Sequence, residues 1–401
     1  MDALLKFRLS SCMAVSVLAP IFLAFNPSGP EAQLSTLVAR RTQLRLGCLD
    51  ADDGLGSKAV IHDDRTDSMM SKGVGLPDPQ PLRRRALLHS ALASLLGARL
   101  PANLASARTS SEDREVNLPS GAKMPLIGLG TAGLASGEVS SAVRAALEAG
   151  CRHFDCAALY RNEAEVGKAI LSSNVPRDEI FLTSKLWNDR RRPGDVREAL
   201  DKTLKRLGTD YLDLYLIHWP VVWAKDSVMK PDAQASLKVA WQTLEQLVDE
   251  KKIRSIGISN YNEREIDELL SYARILPAVN QIEVHPRLPQ TALVNYCQGK
   301  GITVTAYSPL KAGLLNDPIV QQIATTRSVS PASVLLRWNI QRGIVVIPKS
   351  GTPKRVRQNT QEPWTFRLNA EEIASLDALE DGYRSCKAPW STFADRTSSD
   401  E

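Results

Sequence analysis

From residue 115 onward the chain alternates strand-like and helix-like stretches eight times, and no other feature narrows its fold so much. A hairpin is expected over 116–125, with Ser120-Gly121 as its turn. Buried strands are then predicted over 126–131, 152–156, 180–185, 212–218, 255–259, 279–283, 303–307 and 344–347. Helices fall between them over 139–149, 162–171, 196–207, 237–248, 263–272, 291–298 and 318–341, and a last one follows Ser350. Gly150 and Gly208 supply stops. Leu237, Ala240, Trp241, Leu244, Leu247 and Val248 recur at helical spacing, so one face of that helix meets a core. Strands separated by helices call for a parallel sheet, and eight units is the number that closes a (β/α)8 barrel capped by the hairpin. The alternative is an open doubly wound sheet, which would carry a three-glycine phosphate fingerprint after its first strand. Gly128-Leu129-Gly130 does not extend to the third glycine.

In a barrel of this kind the C-terminal strand ends share one rim, so residues far apart in sequence converge there. Asp155, Lys185, His218, Ser259, Gln281, Tyr307 and Lys349 all fall at such ends. A lone strand-end His or Lys is more often structural, but seven polar groups on one rim have no packing explanation. The stretch Cys151–Tyr160 ends a strand at Asp155 and puts a phenol five residues later, in the following loop. A phenol with an ordinary pKa near ~10 moves protons poorly at neutral pH unless a cation favours phenolate. Lys185, held by Asp155, is the expected cation for Tyr160, and His218 ends the next strand.

The rest of the composition excludes more than it assigns. The first 111 residues hold 13 Lys+Arg against 9 Asp+Glu, and the remaining 290 carry 37 against 36. A nearly neutral body has no electrostatic footprint for nucleic acid or an acidic membrane. Six scattered cysteines, without the paired spacing of a zinc or redox site, read as reduced thiols, and no metal site is expected.

Residues 1–111 read as a targeting leader, disordered or cleaved. Lys6 and Arg8 precede an apolar run from Cys12 to Phe25, too short for a ~20-residue membrane span. Arg83-Arg84-Arg85 opens a second apolar segment that closes at Ala105-Ser106-Ala107, so no stable membrane insertion of the mature protein is expected. Two tandem signals resemble the multipart leaders of plastid proteins in algae, with Leu23-Ala24-Phe25-Asn26-Pro27 similar to their Phe-bearing cleavage site. A plastid address is the expectation and the cytoplasm the alternative. The body is assigned to 112–390 and a polar tail to 391–401.

Eight blocks in the body carry a family resemblance. They are Gly128-Leu129-Gly130-Thr131; His153-Phe154-Asp155-Cys156-Ala157-Ala158-Leu159-Tyr160 with Asn162-Glu163; Ser184-Lys185-Leu186-Trp187; Ile217-His218-Trp219-Pro220; Gly257-Ile258-Ser259-Asn260; Asn280-Gln281-Ile282-Glu283 with His285-Pro286; Ala306-Tyr307-Ser308-Pro309-Leu310; and Ile347-Pro348-Lys349-Ser350. In this order they resemble the aldo-keto reductase family over nearly all of 115–365. The resemblance implies a catalytic set of Asp155, Tyr160, Lys185 and His218, in which Tyr160 donates a proton to a substrate carbonyl, Lys185 depresses the phenol and His218 holds the carbonyl oxygen.

It also implies NADPH/NADP+ as cofactor, with Tyr307 under the nicotinamide ring and Ser259, Asn260 and Gln281 bonding its carboxamide. Gly130, Thr131, Asp155, Ser308 and Leu310 complete that side. Lys349, Ser350 and Arg355 would grip the 2′-phosphate and Asn359 would meet the adenine. The position that is often Trp after the Gly-Thr pair is Ala132 here, while Trp187, Trp219 and Trp223 remain, beside His218, as pocket walls. Together these imply a monomeric enzyme reducing small or varied aldehydes and ketones. NAD(P)-linked polyol oxidation and a cofactor-sensing, non-catalytic subunit are the rivals.

Overall fold

The computed structural model describes residues 114–226, 232–311 and 313–386. The expected leader and the polar tail lie outside these residues. The hairpin forms as read, β1 (Glu115–Asn117) pairing antiparallel with β2 (Lys123–Pro125). Gly121 takes φ +84° in its turn, a value that L side chains rarely adopt. Ser120 Oγ meets Ser255 Oγ at 2.7 Å, which fastens the hairpin across the N-terminal end of the sheet.

Eight parallel strands then alternate with helices: β3 (Gly128–Gly130), α1 (Glu138–Glu148), β4 (His153–Asp155), α2 (Glu163–Leu171), β5 (Phe181–Leu186), α3 (Pro193–Leu207), β6 (Leu212–Ile217), α4 (Leu237–Asp249), β7 (Ile253–Ser259), α5 (Glu263–Leu270), β8 (Val279–Glu283), α6 (Thr291–Gly299), β9 (Thr303–Tyr307), α7 (Pro318–Arg327), α8 (Pro331–Gln341), β10 (Val345–Val346) and α9 (Pro353–Gln361). Neighbouring strands pair in chain order from β3 to β10. A parallel bridge between Ile127 and Val346, with Val346 N donating to Leu126 O at 2.8 Å, joins the last strand to the start of the first. Gly130 N donates across the same seam to Pro348 O at 3.0 Å. A Cβ on Gly130 would lie 2.6 Å from Ile347 O, so the seam needs glycine there. These contacts exclude the open sheet.

Both β5 and β6 are buried along their whole length, side chains on both faces included, because helices cover the outside and packed side chains fill the inside. Full burial of each such Leu or Ile contributes roughly 1.5–3 kcal/mol, and that same burial encloses Lys185 and Asp213 in the strands.

The helical material expected over 318–341 forms two helices, α7 and α8. Ser328 enters the left-handed region at φ +55°, and Ser330 caps α8 just before Pro331. A further helix, α10 (Ala370–Asp377), follows α9 and was not expected. Its start is a capping box in which Asn369 and Glu372 satisfy each other's backbone N–H groups. Among the described residues no helix is long and apolar enough to cross a membrane.

Candidate active site

The end of β4 carries Asp155, the end of β5 carries Lys185, and the residue after β6 is His218. Tyr160 lies in the segment after β4, as expected, where it closes a single 3-10 turn, Ala158–Tyr160. Lys185 Nζ donates to Asp155 Oδ1 at 2.5 Å, to Cys156 O at 2.9 Å and to Tyr160 Oη at 3.2 Å. Three donors on one fully buried ammonium thus have three acceptors, the condition for keeping a cation inside. Gln281 Nε2 holds the other carboxylate oxygen of Asp155 at 2.7 Å. The His218 ring stands edge-on to Tyr160, with centroids 6.0 Å apart, and Trp187 stands edge-on to His218 at 5.0 Å.

Electrostatics refine the expected roles. Burial pushes the Tyr160 hydroxyl up to about 12, against the pull of the Lys185 charge. Lys185 does lower the phenol, as expected, but loss of water around a phenolate outweighs one cation that is itself shared with Asp155, and the net direction is up. Burial pulls Lys185 down, but Asp155 and then Tyr160 reverse it, and the net direction is up. His218 is held well below the usual imidazole range by burial, then by Lys185 and Arg191, so its ring is neutral at physiological pH. Its Nδ1 is buried without a partner.

The expected cofactor residues divide into two groups. Around the β7–β9 ends, Tyr307 Oη donates to Asn260 Oδ1 at 2.8 Å, Asn260 Nδ2 donates to His218 O and to Ser259 Oγ, each at 3.0 Å, and Ser259 Oγ donates to Gln281 O at 2.8 Å. Asn260 at φ +65° and Ser308 at φ +53° take left-handed backbone to make these turns. Leu310 is partly buried against the core. Thr131 Oγ1 donates to Asp155 O at 2.8 Å, so its role is to hold the strand that carries the acid. The expected carboxamide donors Gln281 and Asn260 are thus already engaged inside the protein, Gln281 on Asp155.

The second group surrounds the start of α9. Lys349 and Arg355 are exposed, and neither makes an ion pair with a described residue. Lys349 is lowered by partial burial and by the charge of Lys311. Thr352 does not cap α9 with its side chain, so N–H groups of the first turn point out beside these cations. Ser350 Oγ accepts from Thr352 N at 3.1 Å, and Asn359 is buried in the next turns.

Of the expected pocket walls, Trp187 and Ala132 are half-buried at the rim. Trp223 stands edge-on to Trp187 at 5.7 Å. Trp219 is only 2% exposed, so it packs behind the wall rather than forming its surface.

Two features escaped the reading of the sequence. Glu283 accepts from Ser385 N at 2.7 Å and Cys386 N at 2.9 Å, with His285 Nε2 at 3.0 Å, and so docks the C-terminal segment on the rim, where the Cys386 side chain meets Tyr307. Arg191 is 1% exposed, although its neighbours in the run Arg190–Arg192 lie in ion pairs with Asp226 and Asp232. Neither residue has a local signal; the motif Asn280–Glu283 marked the acid without its partner. No disulfide joins the four described cysteines, and no group of three His, Cys, Asp or Glu side chains among the described residues could hold a metal ion.

A closed (β/α)8 barrel with a buried Asp-Lys-Tyr cluster beside a neutral His at its C-terminal rim defines a class of oxidoreductase. The sequence profile of the Aldo/keto reductase family matches residues 126–381, and the chain belongs to that family. It is 45% identical over 294 residues to aldo-keto reductase family 1 member A1 of Sus scrofa, covering 67% of this chain and 90% of the relative, and 44% identical over 293 residues to the Homo sapiens protein of that name. Among solved structures, the aldose reductase from Schistosoma japonicum aligns with a TM-score of 0.64 at 44% identity, covering 68% of this chain and 93% of that one. MGS-M4, an aldo-keto reductase enzyme from a Medee basin deep-sea metagenome library, aligns with a TM-score of 0.62 at 39% identity, covering 67% and 96%.

Proposed function

We propose that this enzyme reduces aldehydes and ketones to alcohols with NADPH, Tyr160 acting as the proton donor. The observation that carries the reading is the 3.2 Å contact between Tyr160 Oη and a Lys185 ammonium that Asp155 clamps, beside a neutral imidazole. When bound, a reduced nicotinamide would supply the hydride that the carbonyl carbon takes up. As negative charge builds on the carbonyl oxygen, Tyr160 releases its proton to it, and Lys185 stabilises the phenolate left behind until solvent returns a proton. The neutral His218 ring can donate an N–H to the same oxygen and fix its direction. A hydroxyl raised to about 12 stays protonated at neutral pH, so the proton to be donated is present there.

The residues present fit the cofactor. Tyr307, fixed by its bond to Asn260, offers a platform for a planar ring. Lys349 and Arg355, unpaired with any described carboxylate beside the α9 N-terminus, suit a dianionic 2′-phosphate, which NADH lacks. The test is NADPH consumption with an aldehyde panel by wild type and Tyr160→Phe. Turnover that is lost in the variant at unchanged NADPH affinity supports the reading; tight NADPH binding with no turnover on any aldehyde points instead to a cofactor sensor. The leader adds a plastid address to the proposal, which a fusion of residues 1–111 to a fluorescent protein tests.

A further inference from the structure

Arg191 is a guanidinium inside the protein with no carboxylate partner among the described residues, a costly arrangement unless every N–H is used. All its bonds go to oxygens of two loops. Nη1 donates to Leu186 O at 3.2 Å and Trp187 O at 2.8 Å, at the end of β5. Nη2 donates to Asn188 Oδ1 at 3.3 Å and Trp219 O at 3.2 Å, and Nε donates to Val221 O at 3.3 Å, beyond β6. One planar fork therefore spans the segment that follows Lys185 and the segment that follows His218. A second tie, Trp223 N to Asn188 O at 2.9 Å, runs beside it. Between the two segments stand the edge-on rings of Trp187, His218 and Trp223.

We propose that Arg191 is a positioning residue for carbonyl binding, a buried cationic clasp that sets the Trp187–Trp223 wall and the orientation of His218 by tying their two loops together. The proposal rests on the carbonyl-reductase reading of the same site. Five donors in a fixed plane are what the clasp requires; a lysine ammonium has three donors on one point and cannot reach both loops together. Arg191 also faces His218 as a charge. The other groups around that ring are Lys185 from β5, Tyr160 from the turn after β4 and Trp187. Burial first, and these two cations after it, make the imidazole resist protonation; burial lowers Arg191 itself to about 10, so it keeps its charge at neutral pH.

The test uses the full chain carrying Arg191→Lys or Arg191→Gln, with a small aliphatic aldehyde, an aromatic aldehyde and NADPH. For Arg191→Lys the expected result is a rise of about 10-fold in KM for the aromatic aldehyde, the size of a loss of alignment at the wall, with a smaller rise for the small aldehyde, which uses less of the wall, and NADPH affinity unchanged. For Arg191→Gln the acid limb of the kcat/KM profile moves to higher pH, whereas Arg191→Lys leaves it in place. Unchanged KM in Arg191→Lys overturns the proposal, as does an Arg191→Lys chain that has lost NADPH binding together with aldehyde turnover, since that marks a general structural role. Wild type that turns over no aldehyde sinks the reductase reading instead, and a wild type active only with Tyr160 intact upholds it whatever Arg191 does.

Discussion

The two ends of the barrel handle charge in opposite ways. At the N-terminal end, Asp213 at the start of β6 accepts from Arg177 Nη2 at 2.9 Å, Arg254 Nη1 at 3.0 Å and the backbone N of Leu182 at 2.9 Å. Tyr211 lies between the two guanidiniums, 4.0 and 4.1 Å from its ring centre, and a cleft of about 410 Å³ opens beside them. Each of these charges has its counter-charge within the cluster. At the C-terminal end the pattern differs: Arg191 is held by dipoles alone, the neutral His218 ring has no partner at Nδ1, and Lys349 and Arg355 make no ion pair with a described carboxylate. Both ends are rich in arginine and acid, so abundance of charge does not mark the site. The exposed cations Lys349 and Arg355, with no ion pair to a described carboxylate, do, because a charged ligand can complete them.

The largest expected effect tests the C-terminal side of this contrast. Tyr160→Phe removes the proton donor while leaving the Lys185–Asp155 pair in place, and should lower kcat by about 1,000-fold with NADPH affinity unchanged, measured by stopped turnover and fluorescence titration. Full retention of activity would break the comparison.

Asp213→Asn tests the other end. It strips the counter-charge from two arginines, a loss of up to ~3–5 kcal/mol when both partners are fully buried; side-chain exposures of 25% and 47% for Arg177 and Arg254 reduce the expectation to about 2 kcal/mol. Calorimetry should show a Tm lower by several degrees, with activity per folded molecule unchanged. A selective loss of kcat in this variant would mean that the ends are coupled.

Arg355→Ala should weaken NADPH binding by about 10-fold, the worth of one charge-assisted bond to phosphate, and leave NADH binding where it was. Equal weakening of both would move the phosphate site elsewhere. The smallest effect is an absence of change with pH. A ring lowered well below its usual pKa takes up its proton only in more acid solution, and a phenol raised to about 12 loses its proton only in strong base. The rate of reduction at saturating NADPH should therefore stay flat from about pH 6.5 to 9; a half-loss near pH 6.5 would show that His218 titrates like a free imidazole.

Much of the fold was legible because it rests on local rules. Strand β8 and strand β9 fall where the apolar alternation put them, and Gly208, at φ +67°, ends α3 as a glycine after a helix should. Helix α10 was overlooked although Asn369 and Glu372 spell its capping box, since its eight residues bury only Leu376 and show little periodicity. Lys185, Asp155, Tyr160 and His218 could be named in advance because each ends a predicted strand or follows one closely.

The order and type of the chain's elements, the eightfold count that demands closure and the polar residues at the strand ends all follow from side-chain pattern, since backbone sterics and apolar periodicity act over a few residues; the resemblance picked the tetrad from among them. What depended on the assembled molecule was which members of a uniform run go inside and how each group titrates. Arg190, Arg191 and Arg192 are identical in sequence terms, yet only the middle one meets carbonyls converging from two loops. Tyr160 carries a cation beside it as anticipated, yet its proton is held more tightly than in water. Desolvation and convergence sum contributions from the whole barrel, and neither quantity exists until the strands have closed.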